Sequence, residues 1–220
     1  MKKVVIIGGH GKVALLLAPL LKDAGWEVTS VIRNAAHIND VAAAGATPVL
    51  HDVVSSSHEE LTGLLAGHDA VVWSAGAGGG DPERTYAVDR DAAIASMDAA
   101  VAADVQRYVM VSYLGAGPEH GVPPENSFYA YAEAKAAADA HLRRTSLAWT
   151  ILGPGALTLD EPSGMVNTTP AADRAPGASG NTSRANVALV AAAVLDRPDT
   201  ILRTIEFSDG QVPIAQALAP

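Results

Sequence analysis

Short apolar runs that alternate with Ala- and Leu-rich stretches are the feature that most constrains the fold of this chain. The apolar runs predict seven strands: Lys3–Gly8, Glu27–Ile32, Thr47–Leu50, Ala70–Ser74, Arg107–Ser112, Ala148–Leu152 and Leu202–Phe207. Helical spacing predicts helices between them: Gly11–Ala24, His37–Ala44, Ser57–Leu65, Pro82–Ala103, Phe128–Arg144 and Arg184–Leu195. The first, fourth and fifth strands lack polar alternation, which is typical of strands buried on both faces. The pattern therefore predicts an α/β fold, a doubly wound parallel sheet with helices on both faces.

Two stretches interrupt this alternation, and both follow the C-terminal end of a predicted strand. Residues 113–127 are rich in Gly and Pro, and residues 153–183 are rich in Gly, Pro, Thr and Ala. Open α/β sheets bind ligands at that edge, so we expect substrate-side loops or a lid here, with plain surface insertions as the alternative. The predicted strands span nearly all 220 residues. We therefore expect a single domain, 1–220, with a small C-terminal substrate region.

The composition excludes several classes of function. A net charge of −9 argues against binding to nucleic acid or to an anionic membrane, because both need a dense basic patch. The absence of Cys excludes disulfides, thiolate zinc sites and cysteine nucleophiles. The seven His are scattered along the chain, so no metal site is expected. Neither a membrane-spanning run nor a secretory signal is evident, and we expect a cytoplasmic monomer or homodimer.

The turn after the first predicted strand is the sharpest local signal. Gly8, Gly11 and Ala14 form a G-x-x-G-x-x-A pattern, in which the glycines permit a sharp turn and a close approach of pyrophosphate to the backbone. The N–H groups at the start of the following helix would then hold the phosphates. We therefore predict a dinucleotide site that includes Gly8, His10, Gly11, Lys12 and Val13.

The end of the second predicted strand bears on which dinucleotide is bound. An NAD-selective site usually has Asp or Glu there, whereas this strand is followed by Arg33. A guanidinium can pair with the 2′-phosphate of NADP, so NADP is the predicted cofactor, with NAD possible. We expect the adenosine to contact Asp52 and Val53 after the third strand. The ribose and pyrophosphate should pass the small residues Ser74, Ala75 and Gly76.

A tyrosine and a lysine four residues apart are the candidate catalytic pair. Tyr131 and Lys135 share one face of a predicted helix. A nearby ammonium would lower the pKa of a phenol, as a general acid or base for hydride transfer requires. Ser112, at the end of the fifth predicted strand, could orient the substrate oxygen. The alternative is an ordinary packing pair.

These segments together resemble the atypical short-chain dehydrogenases/reductases of the NmrA-like, NAD(P)-binding kind. The resemblance rests on Gly8–Ala14, Val109–Ser112, Tyr131–Lys135, Leu147–Gly155 and Thr182–Ala188. It implies a Rossmann-type sheet with bound NAD(P), a nicotinamide lined by Pro154, Gly155 and Ala156, and a Lys135 that also binds the nicotinamide ribose.

Two positions depart from the family's pattern. Gly153 stands where relatives usually have Arg, and the Asn of the proton relay has no clear counterpart, Asp89 being the nearest candidate.

The sequence thus predicts an NAD(P)H-dependent oxidoreductase that reduces a small carbonyl, quinone or flavin-type acceptor, a small-molecule substrate in each case. One alternative is a non-catalytic NAD(P)-binding sensor. Another is an enzyme that resembles the nucleotide-sugar epimerases and dehydratases.

Overall fold

A computed structural model describes residues 1–78, 80–168 and 180–219 of the chain. Within these ranges the strands are β1 (Lys3–Ile7), β2 (Glu27–Ile32), β3 (Thr47–Leu50), β4 (Ala70–Trp73), β5 (Arg107–Val111), β6 (Ala148–Pro154), β7 (Ala156–Thr158), β8 (Met165–Thr168), β9 (Asn181–Ser183), β10 (Arg203–Asp209) and β11 (Val212–Pro213). The α-helices are α1 (Lys12–Asp23), α2 (Ile38–Ala43), α3 (His58–Leu65), α4 (Pro82–Thr85), α5 (Ala93–Ala102), α6 (Tyr129–Leu142), α7 (Arg184–Leu195) and α8 (Ile214–Ala217).

The main sheet has the strand order β11-β8-β10-β6-β5-β4-β1-β2-β3. Every neighbouring pair from β10 to β3 runs parallel. β8 then pairs antiparallel with both β10 and β11 at the far edge. This topology confirms the predicted Rossmann-type α/β fold. The strand order reverses between β1 and β4, which is where such sheets open a crevice for ligands.

Helices cover both faces of the sheet, and each face has its own apolar core. In β1, Val4 and Ile6 point to the face covered by α1 and α7, whereas Val5 and Ile7 point to the face covered by α3, α5 and α6. Successive side chains of a strand alternate between faces, so a strand that is covered on both sides must be apolar throughout. This explains the unbroken apolar run at the start of the chain.

The predicted helix Pro82–Ala103 contains a π-helical segment, Tyr86–Ala92, between α4 and α5. The wider turn places Asp89 inside the protein, where its carboxylate accepts a hydrogen bond from the backbone N–H of Ala77 at 3.0 Å. Segments of this type recur at functional sites, and this one lies beside the C-terminal end of β4.

The segment 153–183 has more regular structure than the sequence predicted. It contains the end of β6 and the whole of β7, β8 and β9, with β7 and β9 paired in a small second sheet; residues 169–179 lie outside the described residues. Short strands were missed here because their side chains do not alternate in polarity. The other predicted loop, 113–127, contains no helix or strand among its residues, all of which are described.

No helix within the described residues combines the length and the hydropathy that a membrane span requires.

Candidate functional site

The glycine-rich turn between β1 and α1 is a tight backbone structure that leaves little room for a side chain at Gly8 or Gly11. Gly8 has φ +88°, and a Cβ there would lie 2.6 Å from the Cα of Ala75. The backbone N–H of Gly11 donates to the carbonyl of Gly8 at 2.8 Å, and a Cβ on Gly11 would lie 3.1 Å from that same oxygen. A bare backbone next to a helix N-terminus suits a pyrophosphate. The residues present therefore fit a dinucleotide.

A cavity of about 250 Å³ lies in front of this turn, at the C-terminal ends of β1, β2 and β4. Its lining includes nine of the predicted cofactor-binding residues: Gly8, His10, Gly11, Arg33, Asp52, Val53, Ser74, Ala75 and Gly76. Basic side chains dominate its charged lining. Two of these basic residues, His10 and Arg33, were predicted to bind the cofactor. The structure adds three more: His37, His51 and Arg84. An acidic protein thus has a locally basic cavity where a phosphate would bind.

A second cavity of about 740 Å³ continues the groove, and both cavities share Gly11, Ser74 and Gly76 in their linings. The predicted residues Lys12, Val13 and Tyr131 line this second cavity. Phe128 and Leu157, which the sequence analysis did not single out, also contribute. One groove therefore runs from the basic cavity to the predicted catalytic tyrosine.

An aromatic cluster forms one wall of the second cavity. The ring of Phe128 lies 5.1 Å from that of Tyr131 and 5.2 Å, edge-on, from that of Tyr113. Phe128 is 42% exposed although it is large and apolar. The hydroxyl of Tyr113 is buried without a hydrogen-bond partner in the described part of the chain, and burial raises its pKa to about 12.

Lys135, which the family resemblance places at the nicotinamide ribose, is buried and does not belong to the lining of either cavity. The side chain is 1% exposed, and its ammonium donates to the carbonyl oxygen of Val111 at 2.9 Å and to the sulfur of Met110 at 3.0 Å. Two buried carboxylates, Asp139 and Asp89, provide its neutralising charge. Lys135 is buried because α6 packs over β5, and a residue one helical turn after Tyr131 therefore points towards the sheet.

The hydroxyl of Ser112 is also hydrogen-bonded inside the protein. It donates to the Oδ2 atom of Asp139 at 2.6 Å, and the serine is 4% exposed. Burial raises the pKa of Asp139, although Lys135 and the serine hydroxyl both act to lower it. The predicted orientation of a substrate oxygen by Ser112 would require this bond to break.

The predicted lowering of the Tyr131 pKa is wrong in direction. Burial raises the pKa of this phenol, and the negative charges of Asp89 and Asp139 raise it further. The nearby charges that act on this phenol are negative, whereas the ammonium of Lys135 donates to the carbonyl of Val111 and to the sulfur of Met110. Tyr131 is therefore a protonated phenol at neutral pH and a hydrogen-bond donor rather than a base.

Pro154 and Gly155 are buried at the end of β6, and neither they nor Ala156 belong to the lining of the two cavities; Leu157 does. The unusual Gly153 has a local explanation. A Cβ there would lie 3.0 Å from the Cγ of Glu206, whose carboxylate accepts a hydrogen bond from the backbone N–H of Gly115 at 2.7 Å. The glycine thus makes room for a contact that holds the 113–127 segment.

Among the described residues there is no group of three or more His, Cys, Asp or Glu side chains that could hold a metal ion. Asp139 is a residue of the candidate site that was not predicted from the sequence. Its spacing, four residues after Lys135 and eight after Tyr131, places it on the same helical face and could have indicated it.

The parallel sheet, the glycine turn at the strand-order reversal and the continuous groove define a dinucleotide-binding protein of the Rossmann type. The family model described as NAD(P)H-binding matches residues 8–198, and the chain belongs to this family. A Bacillus subtilis protein named an uncharacterized sugar epimerase is 32% identical over 98% of each chain. The structure of a putative NAD-dependent epimerase/dehydratase from Bacillus halodurans superposes with a TM-score of 0.90, at 30% identity over 99% of both chains. The structure of an oxidoreductase from Lactococcus lactis has a TM-score of 0.84, at 26% identity over 98% of this chain and 94% of the other.

Proposed function

We propose that this protein is an NADP(H)-dependent reductase of planar conjugated acceptors of the quinone or flavin type. The observation that carries the proposal is the hydrogen bond of Ser112 to the buried Asp139, together with the burial of Lys135 against Val111. The serine and the lysine that would assist proton transfer to a carbonyl substrate are both engaged inside the protein.

The chemistry of the acceptor decides how much help it needs from the protein. When bound, the cofactor supplies the hydride. A simple ketone or aldehyde becomes a strongly basic alkoxide and needs a positioned proton donor, which contributes about 10²–10⁴-fold in rate. A quinone or flavin becomes a delocalised anion that takes its proton from water. Tyr131, as a protonated phenol, can donate a hydrogen bond to an acceptor oxygen without giving up its proton.

The aromatic wall of the second cavity supports a planar acceptor. Phe128 exposes its ring, Tyr113 supports it edge-on, and Tyr131 is tilted by 51° against Phe128. Offset and edge-to-face contacts with a flat conjugated ring are favourable in such a setting. Leu157 adds an apolar contact on the lining of the same cavity.

The basic lining of the first cavity supports NADP over NAD. Arg33 is exposed on this lining and has no hydrogen-bond or ion-pair partner among the described residues. An unpaired guanidinium at the end of β2 suits the adenosine 2′-phosphate.

NADPH consumption should be compared across a flavin, a small quinone and an aliphatic aldehyde, for the parent and for Tyr131→Phe. Tyr129→Phe is the matched control, because Tyr129 lies on the same helix but packs against His120. We expect quinone and flavin reduction to exceed aldehyde reduction, and the two variants to differ little on these acceptors. An aldehyde activity that exceeds both and falls about 100-fold only in Tyr131→Phe would identify a carbonyl reductase instead.

Two other results would point to different functions. Tight NADPH binding with no oxidation by any acceptor would favour a sensor. Interconversion of a nucleotide sugar with no net NADPH consumption would favour an epimerase, the activity in the name of the Bacillus subtilis relative.

A further inference from the structure

Two imidazole rings stack at the rim of the basic cavity, next to Arg33. The rings of His10 and His37 lie 3.5 Å apart and are inclined by only 8°. His10 belongs to the glycine-rich turn, and His37 ends a short 3₁₀ turn that begins just after Arg33. Both line the cavity together with Arg33.

The turn that carries His37 is fixed by its own cap. The side chain of Asn34 accepts a hydrogen bond from the backbone N–H of Ala36 at 3.0 Å, and the carbonyl of Asn34 accepts from the N–H of His37 at 3.1 Å. Arg33 and His37 are thereby held on one side of the same turn. The sequence Arg33–His37 therefore presents two nitrogen-rich side chains to one cavity.

The hydrogen bonds of the two rings differ. The Nε2 atom of His10 pairs with the Oδ2 atom of Asp40 at 2.9 Å. In the part of the chain that the structure describes, the ring nitrogens of His37 have no hydrogen-bond partner, and neither has the guanidinium of Arg33. Of this group, His37 and Arg33 are thus the ones with donors available to a ligand.

The remaining charged groups near this rim come from four elements. Lys12 lies at the start of α1, Asp40 on α2, His51 and Asp52 after β3, and Arg84 on α4. Asp40 is the carboxylate nearest to the imidazole pair, and it is 63% exposed. A dianionic phosphate bound at Arg33 and His37 would experience two negative charges, that of Asp40, which is bonded to His10, and that of Asp52, which lines the cavity.

We propose that His37, supported by its stack on His10, donates a hydrogen bond to the adenosine 2′-phosphate beside Arg33, and that Asp40 opposes this phosphate. The inference deepens the proposed preference for NADP and rests on it. His10 is a positioning residue that supports the ring of His37 and holds Asp40. His37 and Asp40 then set the degree of NADP selectivity in opposite directions.

The test is a calorimetric titration of NADP⁺ and NAD⁺ into the parent, His37→Ala and Asp40→Asn. We expect His37→Ala to weaken NADP⁺ binding about tenfold, the effect of losing one charge-assisted hydrogen bond, with less than about a twofold change for NAD⁺. Asp40→Asn should strengthen NADP⁺ binding about threefold or more and leave NAD⁺ binding unchanged.

The chain offers a matched control pair far from the groove. His141 pairs with Asp98 at 2.7 Å, with exposures of 27% and 50% that resemble those of His10 and Asp40. His141→Ala and Asp98→Asn make the same kinds of substitution elsewhere, so neither should alter the ratio of the two affinities. A shift of that ratio in the controls equal to that in His37→Ala would overturn the proposal, because the effect would then be one of overall charge.

The support given by His10 is tested by two substitutions at that position. His10→Phe keeps a ring that can stack on His37, whereas His10→Ala removes it. We expect His10→Phe to retain more of the NADP⁺ selectivity than His10→Ala. Equal selectivity in the two variants would overturn the positioning role. Melting temperatures of the unliganded variants check that each is folded.

Arg33→Ala separates failure of this inference from failure of the proposed cofactor preference. Suppose that Arg33→Ala weakens the binding of NADP⁺ but not that of NAD⁺, while His37→Ala weakens the binding of both cofactors equally or of neither. The inference about His37 is then wrong and the preference for NADP stands. If the parent binds both cofactors with equal affinity and Arg33→Ala changes neither affinity selectively, the preference for NADP itself is wrong.

The side-chain ¹⁵N signals of His37 give a direct readout of the contact. We expect NADP⁺ to shift these signals and NAD⁺ to leave them unchanged, and equal shifts with both cofactors would contradict the contact.

Discussion

Lys135→Met tests whether this lysine stabilises the fold or binds the cofactor. The ammonium is 1% exposed and lies with Asp89 and Asp139, which are 1% and 0% exposed. Lys135 acts on the two carboxylates through its charge and makes no ion pair with either. Losing one partner of a contacting buried pair costs about 3–5 kcal/mol, and we expect about 3 kcal/mol here, because two buried carboxylates lose a favourable charge that acts at a distance. For a domain of this size each kcal/mol lowers the melting temperature by about 2–4 °C, so we expect a drop on the order of 10 °C.

The assay is urea denaturation of the unliganded protein, followed by titration with NADPH under conditions where each variant is folded. Lys12→Met is the control, since Lys12 is exposed in the groove and its loss should change the free energy of unfolding by about 0.5 kcal/mol or less. The double variant Lys135→Met/Asp139→Asn should be more stable than Lys135→Met alone, because one uncompensated charge is removed. A loss of stability below about 1 kcal/mol, combined with a tenfold or greater loss of NADPH affinity, would refute the structural role.

Two further substitutions test the turn and the buried acid. Gly8→Ala should destabilise the protein by at least about 1–2 kcal/mol, because φ is +88° and the new Cβ would lie 2.6 Å from the Cα of Ala75. Fluorescence titration should show weaker NADPH binding, whereas Gly63→Ala, in open space on α3, should be neutral or slightly stabilising. Burial raises the pKa of Asp89 in the folded state, despite the N–H of Ala77 and the charge of Lys135, so its contribution favours folding at low pH and is lost as the pH rises through the folded-state value. Asp89→Asn should therefore gain stability over the parent as pH rises from 4 to 8 in denaturant titrations, and a pH-independent difference would contradict this account.

The sheet and the residues that line the basic cavity could be predicted from sequence because both depend on local patterns. An apolar run such as Val4–Ile7 encodes a strand buried on two faces, and Gly8 and Gly11 encode a bare turn at its end. The residue that follows β2, Arg33, lies at the same sheet edge because parallel strands end together. These three inferences use only neighbouring residues and one topological rule.

The arrangement around Tyr131 could not be predicted, since it depends on contacts between distant residues. A spacing of four places Lys135 and Tyr131 on one face of α6, but that face is wide enough for one to line the groove and the other to meet β5. The carboxylate that binds Ser112 comes from Asp139, 27 residues further on. The spacing of Asp139 from Lys135 and Tyr131 indicates a shared helical face, but it does not show which of them meets β5 and Ser112. The expected sign of the Tyr131 pKa shift was wrong for that reason.

The contact of Gly115 with Glu206 bears on the order in which the parts of the groove are formed during synthesis. The two residues are 91 positions apart, and the loop before α6 is tied to β10, the last strand of the parallel run. During synthesis a chain emerges from its N-terminus onwards, so the residues that line the basic cavity are synthesised before Glu206. The hydrogen bond that ties the segment before α6 to β10 can form only after Glu206 has emerged.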